Sequence, residues 1–395
     1  MVTSEEQLTR QGRLFAAVAL VLAAVNLRLA VTSVGPVLAE IRAGLGMSAA
    51  VAGLLTSLPV VCFAAVGFTA PRLARRFGTG SVVAAGLGVL TLGLAVRPYA
   101  TGTTDFVLLS GVALAGIAVV NVLMPVVVKE CFPDRAGTMT GIYSVALNVG
   151  ASAAAAATVP IAAGFGGDWR LGLASWAVVA ALAVPCWLAL ARDQMTPAAA
   201  PEPVEAVPGV ARSPVAWALA LYFGLQSTSA YVMIGWLPQI YRDAGLSAEK
   251  AGVLFAVTSF LGVPLTFVLS AVVNRLPSQS GIAAVLGLFG LAGYAGLWFS
   301  PAAAPWLWAV LLGVVNCAFP LVLTMIALRG RTPATVVRLS AFAQGVGYLI
   351  AIPGPILIGV LHDTTGGWRV PLGLMVALIV PQMTAGVMAG RDRQV

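Results

Sequence analysis

A chain of 395 residues that is 59% hydrophobic and 9% charged, with a mean hydropathy of +0.96, has too little polar surface to fold as a soluble globular protein. Its net charge of +8 is scattered among short breaks between apolar runs, a distribution that argues against a nucleic-acid-binding surface. The runs recur at about 20 residues, enough for a helix to cross a ~30 Å hydrocarbon core, and none shows the ~10-residue alternation of a barrel strand.

Charged or Gly/Pro-rich breaks delimit twelve predicted spans: 14–38, 49–71, 79–98, 105–128, 136–164, 168–191, 214–241, 248–272, 280–300, 304–328, 333–361 and 366–390. The expected fold class is therefore an all-α membrane protein. The start, "MVTSEEQLTRQGRLF", carries two glutamates and its apolar run lacks a small-residue cleavage site, so no removable signal peptide is expected. Breaks after even-numbered spans, with the two ends, hold fifteen Lys and Arg residues, whereas the other breaks hold six. Positive residues stay inside during insertion, which predicts that both termini are cytoplasmic.

Span 1 contains "NLRLAVTSVGP" (26–36), which puts Arg28 deep in the membrane with no acid nearby in sequence. An arginine at such depth costs about 2.5–3.5 kcal/mol on insertion scales. It is expected to face a wet cavity and hold an anionic or strongly polar substrate; the competing reading is a guanidinium satisfied by helix carbonyls and packing. Thr32 lies one turn on, on the same face. Asn26 faces either that cavity or a helix interface. After span 2, "PRLARRFG" (71–78) supplies Arg72, Arg75 and Arg76, a basic cluster that fits positive-inside anchors.

Span 4 carries "NVLMP" (121–125) and span 10 "NCAFP" (316–320). A proline frees the carbonyl four residues back, so Asn121 and Asn316 each join a loose backbone acceptor to an amide side chain. They are candidate substrate contacts, or kinks held by helix-to-helix hydrogen bonds. Tyr143 and Asn148 in span 5, Gln226 and Tyr231 in span 7, and Gln344 and Tyr348 in span 11 are further candidates. Polar stripes of this kind also join helices. Trp169-Arg170 and Trp368-Arg369 fit lipid-interface anchors and are left outside the site.

All fourteen acids fall at span ends, loops or tails, so no carboxylate stands at mid-membrane to carry a proton; Glu40 and Glu130 come nearest. The four cysteines are widely spaced and His362 is the single histidine, which supports no metal site. No nucleophile or acid/base constellation marks an enzyme, and no cofactor is expected.

Shifted by 199 residues, the chain matches itself: "EIRAGLGMSAAVAGLL" (40–55) lies over "QIYRDAGLSAEKAGVL" (239–254), and Trp169-Arg170 over Trp368-Arg369. Six spans repeated in one orientation around a Pro-, Ala- and Glu-containing segment resemble the major facilitator superfamily. The domains expected are an N-terminal six-helix bundle (1–191), a cytoplasmic linker (192–213) and a C-terminal six-helix bundle (214–395). "PRLARRFG" is similar to that superfamily's GxLADRxG motif, with Pro71 for the first glycine and Arg75 for the aspartate, and "VVNRLP" (272–277) puts Asn274 at the same aspartate place. The resemblance implies that Arg72, Arg75, Arg76, Asn274 and Arg275 govern gating, the competing reading of each arginine being a positive-inside anchor. Residues 26–78 resemble the cyanate and 2-nitroimidazole transporter branch, whose first span reads NLRPAxTSVGPLL; here Leu29 replaces the proline.

The resemblance implies alternating access in a bacterial cytoplasmic membrane, with cyanate or a similar small anion as substrate, or else export of 2-nitroimidazole-like molecules. It implies a small-molecule substrate and the lipid bilayer as partners, no nucleic acid, and function as a monomer.

Overall fold

The computed structural model describes residues 10–66, 69–193, 210–273 and 275–394, and among them only helices and connecting turns occur. Span 1 is the helix Arg10–Thr32, and span 2 is Ala49–Val66. Spans 3 to 7 are Thr79–Val96, Thr103–Cys131, Ala136–Gly164, Trp169–Asp193 and Pro214–Asp243. Span 8 is split into Ala248–Phe260 and Gly262–Val273, span 9 is Ser280–Phe299, and span 10 is split into Pro305–Val315 and Ala318–Arg329. Span 11 is Pro333–Ala351 followed by Pro353–Thr365, and span 12 is Arg369–Ala389.

Among the described residues, ten segments are individually long and apolar enough to cross a membrane. Span 2 is shorter. Span 7 is diluted by Gln226, Ser227, Thr228 and Ser229, all buried in protein rather than turned to lipid. Span 1 stops short of its expected end. Pro36 has no N–H to continue the helix, and the chain passes through a tight turn at Gly35–Val37 into a separate helix, Leu38–Leu45.

The two Asn-x-x-x-Pro segments differ. Span 4 runs unbroken through Pro125, whereas span 10 breaks at Asn316 and Cys317. There the Asn316 carbonyl, which Pro320 cannot reach with an N–H, accepts instead from Phe319 N at 3.2 Å.

Two apolar cores fill the two six-helix bundles. One surrounds Leu20, Leu87, Ile117 and Trp187, and the other surrounds Phe223, Leu321 and Met325. A third joins Leu38, Leu55 and Phe106 of the first half to Trp236, Leu254 and Ile358 of the second. This shared core lies at the end of the molecule away from the termini, called here the distal end; the end carrying the termini is the proximal end.

Small residues let the helices approach closely, as the Gly/Ala-rich stretch of span 5 suggests. A side chain at Gly150 would collide with the Val25 carbonyl of span 1, and one at Gly172 with Ala162. Gly150→Val is therefore expected to destabilise the first bundle by about 1–3 kcal/mol through overpacking, visible as a lowered Tm in detergent.

Candidate functional site

Arg28 is half-buried in the middle of the molecule. Its charge reaches the phenolic groups of Tyr143 in span 5, Tyr231 in span 7 and Tyr348 in span 11. Groups on three other spans, one from its own half and two from the other, thus lie within electrostatic range of this guanidinium. Tyr143 donates its hydroxyl to Asn121 Oδ1 at 2.8 Å, bringing span 4 into the group. The Tyr348 ring stacks on Phe63 at 6.2 Å and meets Phe223 edge-on at 5.0 Å. Among the described residues Arg28 takes part in none of the ion pairs. A guanidinium without an ion pair, with three phenols in electrostatic range, can offer donors to an anion, and the nearby aromatic rings can offer faces to a flat solute.

The other predicted residues are placed differently. Asn26 is fully buried and donates to Leu22 O at 2.8 Å and to Val179 O at 3.4 Å, so it sits in the seam between spans 1 and 6. Thr32 returns its hydroxyl to Arg28 O at 3.0 Å. Asn148 donates to Ser144 O at 2.8 Å on its own helix. Gln226 is buried and accepts from Gln382 Nε2 at 2.7 Å, tying span 7 to span 12. Gln344 donates to Ser340 Oγ at 2.6 Å, one turn back on the Tyr348 stripe. Asn316 caps the first half of span 10 at its break.

Arg72, Arg75, Arg76 and Arg275 are exposed at the proximal end, with Arg76 over the Phe77 ring at 5.2 Å. Asn274 lies outside the described residues.

Charged side chains join the halves at the distal end. Arg242 grips Glu40 with two bonds of 2.7 and 2.8 Å and donates to Pro36 O at 3.1 Å. Arg42 pairs with Asp363 at 3.2 Å, and Asp363 Oδ2 also accepts the Ala49 N–H at 2.7 Å, at the start of the span 2 helix. Ser57 donates to Ile352 O at 2.9 Å. The backbones interlock between these bonds: side chains at Gly53, Gly359 and Gly252 would collide with Pro355, with the Ala49 carbonyl and with the Ala155 carbonyl.

His362 stands 3.8 Å from Asp243 and 3.7 Å from Asp363, against the Trp368 ring at 4.4 Å. Trp368 is no lipid anchor, because its indole N–H donates to Asp243 Oδ2 at 2.7 Å. Trp169 is likewise buried, edge-on to Phe106 at 6.1 Å. In both, the indole packs on protein, which removes the need for a headgroup partner.

Sequence reasoning treated Arg42, Arg242 and Asp363 as charges at span ends, and Glu40 as one of the two acids nearest to carrying a proton. Opposite charges at the same membrane end in both repeats, Glu40 with Arg42 and Arg242 with Asp243, were the available signal. Toward the proximal end, spans 1, 5 and 8 border an apolar cavity of about 640 Å³ beside Val25, Gly141 and Phe267.

Residues 20–352 match the family model of the Major Facilitator Superfamily. The chain is 34% identical to the 2-nitroimidazole transporter of Escherichia coli (strain K12), with 100% of both chains covered. It is 32% identical to the cyanate transport protein CynX of the same organism, over 88% of this chain and 90% of that one. A bacterial homologue of the human lysosomal transporter Spinster, solved in an inward-facing and occupied conformation, shares the fold. That likeness has a TM-score of 0.80 and 17% identity, covering 98% of this chain and 99% of the other.

Proposed function

Because the chain belongs to the major facilitator superfamily and its matched relatives are transporters, we propose that it carries a small anionic or polar solute such as cyanate across the bacterial cytoplasmic membrane. The observation that carries this reading is Arg28, which forms no ion pair among the described residues and has tyrosines from both halves within electrostatic range. An anion supplies the negative partner that the protein withholds, and the phenols and the Asn121 amide complete its hydrogen bonds.

The bundles of residues 1–191 and 214–395, joined by a linker at 192–213, rock about this site as a monomer. The positive-inside distribution puts the distal end outside. The interlocked distal glycines and ion pairs then correspond to a transporter closed to the exterior. The proximal arginines Arg72, Arg75, Arg76 and Arg275, with Asn274, govern the cytoplasmic side.

A second reading, export of a 2-nitroimidazole-like molecule, is favoured by the aromatic side of the site. Phe63, Phe223 and Tyr348 can flank a flat ring while Arg28 holds nitro oxygens. Flux of labelled cyanate and of 2-nitroimidazole in proteoliposomes, with a trapped pH dye, separates the two and reads proton coupling directly. If neither solute crosses faster than in empty vesicles, both readings fail.

Tyr143→Phe is expected to raise KM about 2- to 10-fold, the worth of one neutral hydrogen bond, because it frees Asn121. Asn121→Ala is expected to behave similarly, and the double variant no worse than either alone, since the two share one bond. Additive effects in the uptake assay would show that they act independently.

A further inference from the structure

Arg97 ends span 3, and the sequence counts it among charges at the membrane margin. In the fold it is 1% exposed, inside the first bundle. One arm donates to Ser33 Oγ over a long 3.4 Å, and the guanidinium lies 6.0 Å from the centre of the Phe106 ring. Its Nε has no acceptor, and among the described residues it takes part in no ion pair.

Beside it is a cavity of about 10 Å³ walled by Val31, Leu55 and Leu114, with Ser110 and Thr56 as its other polar lining. Ser110 Oγ is buried and also without a partner, while the Thr56 hydroxyl is committed to Gly53 O at 2.9 Å. Two unfilled donors, one of them cationic, therefore border one small space with greasy walls.

A cation shut away from water and from carboxylates is strongly disfavoured unless something negative accompanies it. A space of this size takes one water-sized particle, and its apolar side-chain walls must give slightly to admit a monatomic halide. Sulfate, phosphate and carboxylates are too large, and a water molecule fills a hydrogen bond without balancing the charge. We propose that Arg97 and Ser110 hold a small monatomic anion of the halide class, chloride in ordinary buffers, at a site separate from Arg28.

The position gives the ion a role. The cavity wall comes from spans 1, 2 and 4, and Thr56 of span 2 lies so close to Gly235 of the second half that a side chain there would collide with it. The halide lies directly behind the distal interface and braces the surface that span 7 packs against.

The test uses the full-length protein in detergent, melted in sodium chloride, bromide, gluconate or sulfate at matched ionic strength. In the wild type, chloride and bromide raise the Tm saturably, while gluconate and sulfate leave it unchanged. Ser110→Ala, a small change that keeps the fold, shifts the half-saturating chloride concentration upward at least tenfold. Arg97→Gln abolishes the response. Crystals grown in bromide show an anomalous peak between Arg97 and Ser110. The proposal is overturned if the wild-type Tm is indifferent to halide, if the shift persists unchanged in Ser110→Ala, or if the cavity holds density without anomalous signal, which identifies a water. Should Arg97→Gln fail to fold, the serine variant and the bromide peak decide the matter alone.

Discussion

Replacing Arg28 by methionine is expected to raise KM for the anionic substrate by about 10- to 100-fold while leaving the protein folded. A hydrogen bond to a charged partner contributes about 1.5–3 kcal/mol, and each 1.4 kcal/mol is a factor of ten in affinity. Methionine matches the stem and removes the donors. Stability should hold or rise, because the variant no longer places a charge deep in the membrane, where an arginine costs about 2.5–3.5 kcal/mol. Arg28→Lys keeps the charge and loses the planar fork, so its KM should fall between the two. An arginine that only packs against helix carbonyls predicts the reverse pattern, with unchanged KM and a lowered Tm. Uptake and melting curves on the same three proteins therefore discriminate between the readings.

The second large effect concerns the distal interface. Gly53→Val and Gly359→Val each drive a branched side chain into opposing backbone, at Pro355 and at the Ala49 carbonyl, which cannot swing aside as a side chain tip can. With about 1–3 kcal/mol of overpacking at each, the double variant should shift the balance away from the closed distal end by about 30-fold or more. Transport should collapse although substrate still binds.

The readout is Ser57→Cys in a background lacking Cys62, Cys131, Cys186 and Cys317. Ser57 is fully buried beside Ile352, and a membrane-impermeant maleimide should label that cysteine only when the halves part. Labelling that stays at the wild-type level in the double glycine variant would mean that this seam does not open. Glu40→Gln should act in the same direction and more weakly, by about 1 kcal/mol, since the Arg242 and Glu40 side chains are 21% and 35% exposed and partly screened.

The twelve spans and the repeat were legible because hydropathy and self-similarity are properties of the chain alone. Arg28 was legible for a related reason: a charge inside a hydrocarbon-length run stands out without any knowledge of its neighbours. What helix periodicity cannot say is which neighbour a polar face meets. Tyr143, Tyr231 and Tyr348 lie within electrostatic range of Arg28, while Gln226 faces span 12 and Asn26 faces span 6, although all were equally polar points in apolar runs. Nor does a proline four residues after an asparagine decide whether a helix breaks, as spans 4 and 10 demonstrate.

Arg97 was hidden by its own arithmetic. Counted by its place near a span end, it looks like a headgroup charge, and only the third dimension buries it. The clamp of Glu40 with Arg242 and Arg42 with Asp363 joins residues 202 and 321 positions apart, a separation with no local signature.

Asp363 serves span 2 as well as Arg42. By accepting the Ala49 N–H it finishes a helix that belongs to the other half of the molecule. The first turn of that helix is thus completed in trans, with a carboxylate where the helix dipole favours one. Under the proposed alternating access, separation of the halves would withdraw this acceptor and expose the turn to water. The start of span 2 would then loosen as the two bundles part, with only the Ser48 hydroxyl left to accept from Val51 N.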